Sequence, residues 1–211
     1  MYVPASFGAE EEDPRVRELI EAHPFATLIT PAPDQLWVSH VPLLARPTHA
    51  KGGLVLTGHL ARANGHWRAL GAGETTAIFH GPHAYVSPTW YATAPAVPTW
   101  NYAVVHATGR AEPLHDENSL LGNVSSLTRT FEDLVGPWQP ASLPDDLRRS
   151  LLGAIVGFEL RVARVEAKLK LGQNRASADR RGAIAHLEAS GDERSRALAA
   201  LMRATLRDDR D

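Results

Sequence analysis

Gly53-Leu-Val-Leu-Thr57, running without a break into Gly58-His-Leu-Ala-Arg-Ala-Asn64, sets a short apolar β-strand directly against a turn and predicts a helix from Leu60 to Leu70, ended by Gly71. Upstream, Phe25-Ala-Thr-Leu-Ile-Thr30 reads as a strand, Pro31-Ala-Pro-Asp34 as a turn, and Leu36 to Leu44 as the hairpin partner, with Pro42 confining it to an edge or bulge. Asp13-Pro14 opens a helix that stops near His23-Pro24. Downstream, Thr75 to Phe79 predicts a fourth strand, His80-Gly-Pro-His83 a tight turn, and Ala84 to Ser87 a fifth strand. Trp100 to Glu112 and Ile155 to Val165 follow as longer strands, and Asp116 to Glu132 and a segment after Pro144 as helices. Ser177 to Leu187 and Asp192 to Leu206 form a helical end. Many short strands punctuated by turns, with one helix crossing between early strands, predict a mainly β (α+β) barrel rather than a doubly wound sheet. The expected division is a barrel domain over 1–170 and a helical extension over 171–211.

Composition narrows the function classes. The 211 residues carry a formal charge of −2, and the pI is about 6.6. A chain that grips DNA phosphates with its own surface needs an excess of Lys and Arg, and none is present. Cysteine is absent, which excludes disulfides, thiolate metal sites and cysteine nucleophiles and fits a reducing cytoplasm. Met1-Tyr-Val-Pro4 lacks the basic and apolar regions of a signal peptide, and no apolar run approaches membrane-spanning length. Walker, Rossmann and Ser-His-Asp patterns are missing, so kinase and hydrolase readings have no nucleus.

Three constellations could carry chemistry. The junction Thr57–Asn64 offers backbone N–H groups for a phosphate, with the Arg62 guanidinium and the polar tips of Thr57, His59 and Asn64 beside them; a helix cap with a surface arginine is the plainer alternative. Tyr85-Val-Ser-Pro-Thr-Trp-Tyr91 and Val97-Pro-Thr-Trp-Asn-Tyr102 concentrate rings and hydroxyls around a stiff loop, as a flat amphipathic ligand requires; core packing explains them equally well. Lys168-Leu-Lys-Leu-Gly-Gln-Asn-Arg175 reads as a basic connector after the last strand, carrying Lys170 and Gln173. His59, His66, His80 and His83 have no neighbouring carboxylate or thiol, so no metal site is expected.

Taken in order, Met1-Tyr-Val-Pro-Ala-Ser-Phe7, His23-Pro-Phe-Ala-Thr27, His40-Val-Pro-Leu43, Gly58 to Asn64, Phe79-His-Gly-Pro-His-Ala-Tyr-Val-Ser-Pro88, Val97 to Tyr102 and Lys168 to Asn174 resemble the PaiB family. That family is described as FMN-binding negative transcriptional regulators. The resemblance implies an FMN-binding split β-barrel, shared with pyridoxamine-phosphate oxidases and flavin reductases, and a homodimer with flavin at the subunit interface. It places Arg62, Ala63 and Asn64 near the flavin phosphate. It sets the Tyr85–Ser87 strand and Thr99, Trp100, Asn101 and Tyr102 against the ring or ribityl chain. Gly65 departs from the family block, where a proline is expected. DNA or a regulatory protein is the implied partner; a flavin-dependent oxidoreductase and a flavin or haem carrier are the rival functions.

Overall fold

The computed structural model describes residues 1–10, 12–47, 53–114, 116–133, 135–136 and 138–208. In chain order the elements are β1 (Gly8–Ala9), α1 (Pro14–Ala22), β2 (Phe25–Pro31), β3 (Leu36–Pro42), β4 (Leu44–Pro47), β5 (Leu54–Ala61), β6 (Glu74–Val86), β7 (Thr99–Pro113), α2 (Glu117–Glu132), α3 (Asp145–Gly153), β8 (Ile155–Lys170), α4 (Ser177–Ala189) and α5 (Glu193–Asp208). The eight strands form one sheet in the order β3-β2-β6-β7-β8-β5-β4, with β1 paired to β8. Pro42 falls at the end of β3, the outermost strand, where its missing N–H breaks no ladder.

Two compact units divide the chain. One comprises 23–79 and 106–165. Its hairpin β2–β3 runs in register from Phe25↔Pro42 to Pro31↔Leu36, and β5 pairs antiparallel with β8 from Val55↔Arg161 to Ala61↔Ile155. Leu28, Leu56, Phe79, Phe158 and Leu160 are almost wholly buried in it. Each such side chain contributes roughly 1.5–3 kcal/mol on removal from water. The other unit comprises 1–22, 80–105 and 166–211. There α1 buries Val16, Leu19 and Ile20, and the C-terminal helices bury Ile184, Leu187, Leu198 and Met202.

Three expectations are corrected. The chain does not enter a helix at Leu60. β5 continues to Ala61 because its ladder with β8 extends to Ile155, and only a 3-10 turn follows at Gly65–Ala69. His80 to His83 is not a tight turn. β6 is one unbroken strand in which Gly81 and Pro82 are successive buried residues, so the in–out alternation changes phase there. Gly81 suits that close packing: a Cβ would lie 2.9 Å from Leu19 Cδ2 and 3.1 Å from Ala103 Cβ. Finally, Lys168 to Lys170 belong to β8 rather than to a connector, because Gly8 and Ala9 pair with Lys168 and Ala167.

Candidate binding site

At the end of β5 the strand–turn junction has two chemically different parts. Arg62 is exposed, yet its Nε donates to Gly153 O (2.6 Å) and its Nη2 to Ile155 O (2.9 Å). Its backbone N–H donates to Ala154 O, and its own carbonyl accepts from Trp67 Nε1. Arg62 therefore clamps the turn to the start of β8, and two of its five N–H groups are engaged in doing so. Ala63 is exposed in the turn. Asn64 accepts from His66 N through its side-chain oxygen and donates to Ser39 Oγ (2.9 Å), so it caps the 3-10 turn.

His66 is fully buried between hydroxyls. Nδ1 lies 2.9 Å from Ser39 Oγ and Nε2 lies 2.9 Å from Thr30 Oγ1, which in turn meets Thr75 Oγ1 at 2.8 Å. Trp37 stacks on the imidazole at 5.9 Å. Burial lowers its pKa to about 4, so the ring is neutral at ordinary pH.

Thr57 and His59 behave differently. His59 faces Gly157 across the ladder, and a Cβ at Gly157 would meet Leu120 Cδ1 at 2.9 Å. Residues opposite each other share a face, so α2 covers the face that carries Thr57 and His59. Thr57 Oγ1 and His59 Nδ1 are buried there without a hydrogen-bond partner, as is Oδ1 of Asn123 on α2. Asn123 Nδ2 donates to Gly58 O (3.2 Å). Burial also lowers the pKa of His59. Sequence reading passed over Asn123, whose only signal is an amide inside the apolar stripe Leu120–Leu127.

In the other unit, the aromatic block from the sequence reading lines two adjoining hollows that share Trp100 and His83. One, of about 430 Å³, is walled by Tyr85, Trp90, Trp100 and His186. The second, of about 350 Å³, includes His80, Trp100 and Tyr102. Trp100 is 55% exposed and Tyr85 46%, so these rings are surfaces rather than core. Tyr85 meets Trp100 edge-on at 6.2 Å, and His83 lies 6.3 Å from it.

The loop after β6 is fixed by α4. Asp179, 1% exposed, accepts from Ala92 N (2.9 Å), Thr93 N (3.0 Å) and Thr93 Oγ1 (2.6 Å). The Thr93 hydroxyl, with the two backbone N–H groups, holds that carboxyl below the usual carboxylate range. Gly182 allows the closest approach, since a Cβ there would fall 2.1 Å from Trp90 O. Trp90 then stacks on His186 at 5.1 Å and 7°.

The remaining candidates are tied into this frame. Ser87 caps the 3-10 turn Pro88–Trp90, and Thr99 Oγ1 accepts from Lys170 Nζ at 2.5 Å. Asn101 is buried, with Nδ2 3.6 Å from Met202 Sδ. Gln173 bridges its own turn, donating to Leu169 O and accepting from Leu171 N. Lys168 Nζ sits 5.6 Å from the Tyr102 ring centroid. Among the described residues no group of three or more His, Asp or Glu is placed to hold a metal ion, and no helix is long and apolar enough to cross a membrane.

Residues 1–164 match the family described as "Putative FMN-binding domain". Protease synthase and sporulation protein PAI 2 of Bacillus subtilis is 31% identical over 98% of this chain and 99% of its own length. Among solved structures, the flavocytochrome Anf3 from Azotobacter vinelandii matches with a TM-score of 0.57 at 15% identity, covering 76% of this chain and 68% of that one. The FAD and heme binding protein from Mycobacterium smegmatis matches with a TM-score of 0.57 at 18% identity, covering 76% and 72%. At those identities the structural likeness establishes the fold, a split β-barrel with peripheral helices and a helical C-terminus.

Proposed function

Since the chain belongs to the FMN-binding domain family and is similar to the PAI 2 protein along nearly its whole length, we propose that it is a cytoplasmic FMN-binding homodimer acting as a PaiB-type negative regulator of transcription. Residues 1–170 form the flavin domain in this reading, and 171–211 its helical extension. The observation that carries it is the exposed aromatic surface of Tyr85 and Trp100, with the half-buried Tyr102 lining the hollow that Trp100 shares, an area of ring left open on a family member. Trp100 and Tyr102 take the isoalloxazine face. In the unit of 23–79 and 106–165, Arg62, Ala63 and Asn64 are the candidates for a phosphate, on the exposure of Arg62 and Ala63 and the guanidinium of Arg62. Thr99 at the start of β7 and Lys170 at the end of β8 orient each other, and Gln173 rigidifies the turn that follows β8. When bound, FMN supplies one- and two-electron redox chemistry, while the chain supplies position and electrostatics.

Absorbance of the purified protein with its mass in solution, followed by FMN titration, tests this reading. Trp100→Ala weakens FMN binding about tenfold through loss of ring contact. A colourless monomer that ignores micromolar FMN ends the proposal. Regulation by direct DNA contact requires a salt-sensitive, promoter-specific gel shift, which the pI of about 6.6 makes a demanding test. The openness of Trp100 favours a second reading, a flavin-dependent oxidoreductase whose other substrate stacks in the same region. Flavin bleaching by NADH or NADPH no faster than that of free FMN removes that version.

A further inference from the structure

The turn after β5 carries a covalent reactivity apart from any ligand. Of the chain's five asparagines, Asn64 alone is followed by glycine; the others precede Tyr102, Ser119, Val124 and Arg175. A glycine N–H has no side chain beside it to obstruct attack on the preceding carboxamide. In the fold that attack is held off in three ways. Asn64 has ψ 111°, which turns Gly65 N away from the Asn64 side chain. The carboxamide is pinned at both ends, its Oδ1 accepting from His66 N (3.1 Å) and its Nδ2 donating to Ser39 Oγ (2.9 Å). Trp37 closes over Gly65: a Cβ there would fall 2.7 Å from Trp37 Cη2, and the same indole stacks on His66 at 5.9 Å. Asn64 and Gly65 are only half-buried, so water reaches both.

We infer that Asn64 is a deamidation site gated by opening of this turn, its carboxamide becoming a carboxylate only when Ser39, His66 and Trp37 release it. Gly65 N bonds to Asn64 Cγ and gives up its proton, and the amide nitrogen leaves as ammonia. Water then opens the cyclic imide at either carbonyl, leaving aspartate or isoaspartate at position 64. Aspartate still accepts from His66 N and caps the 3-10 turn. It cannot donate to Ser39, and it brings a negative charge into the turn where the amide was neutral. Isoaspartate also adds one carbon to the main chain next to Gly65, where Trp37 packs.

Incubation of the full chain in mildly alkaline buffer, folded and in urea, tests the inference, read by peptide mass spectrometry and isoaspartyl methyltransferase labelling. In urea, Asn64 is expected to convert faster than every other asparagine. In the folded chain it slows by roughly a hundredfold or more, because local opening of the turn precedes each event. Ser39→Ala, which removes the acceptor for Nδ2, speeds the folded-state reaction about tenfold, the factor that one hydrogen bond gives. Asn118, exposed in α2, keeps its rate in that variant and so serves as the reference for global unfolding. In the unaltered chain, urea below the unfolding transition raises the Asn64 rate before the Asn118 rate, a measurement that needs no variant to fold. Equal Asn64 rates in folded and unfolded chains overturn the gate, as does an unchanged rate in Ser39→Ala or equal acceleration of Asn64 and Asn118. Conversion of Asn64 no faster than that of Asn118 in urea overturns the site itself.

Discussion

Two buried polar groups lie within a few residues of each other at the end of β5, and they are built on opposite terms. In the chain Asn64–Ser39–His66–Thr30–Thr75, each side chain meets at least one other at hydrogen-bond distance. At Thr57, His59 and Asn123 a hydroxyl, a ring nitrogen and an amide oxygen are buried with no partner. Buried polar groups that satisfy each other fix a fold, whereas unsatisfied ones cost stability unless something else meets them. The first group holds strands β2, β3 and β6 to the turn. The second carries that cost.

The sharpest way to break that comparison is His66→Ala. It removes a fully buried ring and the links to Ser39 and Thr30, so urea unfolding should show a loss of about 3–5 kcal/mol. A loss below 1 kcal/mol would mean that the chain of hydroxyls holds nothing. Next in size is the pH response. The His66 pKa falls from 6.5 when unfolded to about 4 in the fold, so the unfolded chain binds more protons across that window. Stability is then complete above pH 6.5 and declines as pH drops towards 4, by about 3 kcal/mol at most from this ring. His59 and His23, also lowered by burial, add in the same direction. The slope of unfolding free energy between pH 4.5 and 6.5 should therefore be shallower in His66→Ala than in the parent chain.

Arg62→Ala should cost about 1 kcal/mol, because its carbonyl partners can turn to water. If the phosphate binds at this turn, the same variant weakens FMN tenfold or more; unchanged FMN affinity assigns Arg62 to clamping alone. Thr57→Val should move stability least, within about 0.5 kcal/mol of the parent, since it removes a hydroxyl with no partner and keeps the shape. A large destabilisation by Thr57→Val would show that the hydroxyl is satisfied after all and erase the contrast with His66.

Much of this architecture was legible in the order of residues. The hairpin β2–β3, the helices that start at Pro14 and Ser177, the helix over Asp116 to Glu132 and the long β7 were all expected from turn residues, capping residues and apolar periodicity. The misreadings share one cause: a partner distant in sequence overrode a local signal. Gly81-Pro82 looks like a turn until Leu19 and Ala103 pack against it. Lys168–Lys170 looks like a solvated connector until Gly8–Ala9 pairs with it. Leu60 looks helical until Val156 pairs opposite it. At the candidate sites, the residue types of the Thr57–Asn64 junction and the aromatic block could be chosen from sequence. That Arg62 and Asn64 already have partners, that Thr57 and His59 have none, and that Asn123 lies over Gly58 depend on the packing of α2 and on register, which no local pattern encodes.

The seating of Trp90 on α4 also limits how this chain can drift. Surface loops ordinarily accept insertions and deletions. Here Trp90 O touches Gly182, and the amides of Ala92 and Thr93 are held by Asp179, so adding one residue between Ser87 and Thr93 would pull those contacts out of phase together. Changes of length are expected instead in the largely exposed stretch Ala94–Pro98, where relatives of this chain can differ while Trp90 keeps its seat on α4.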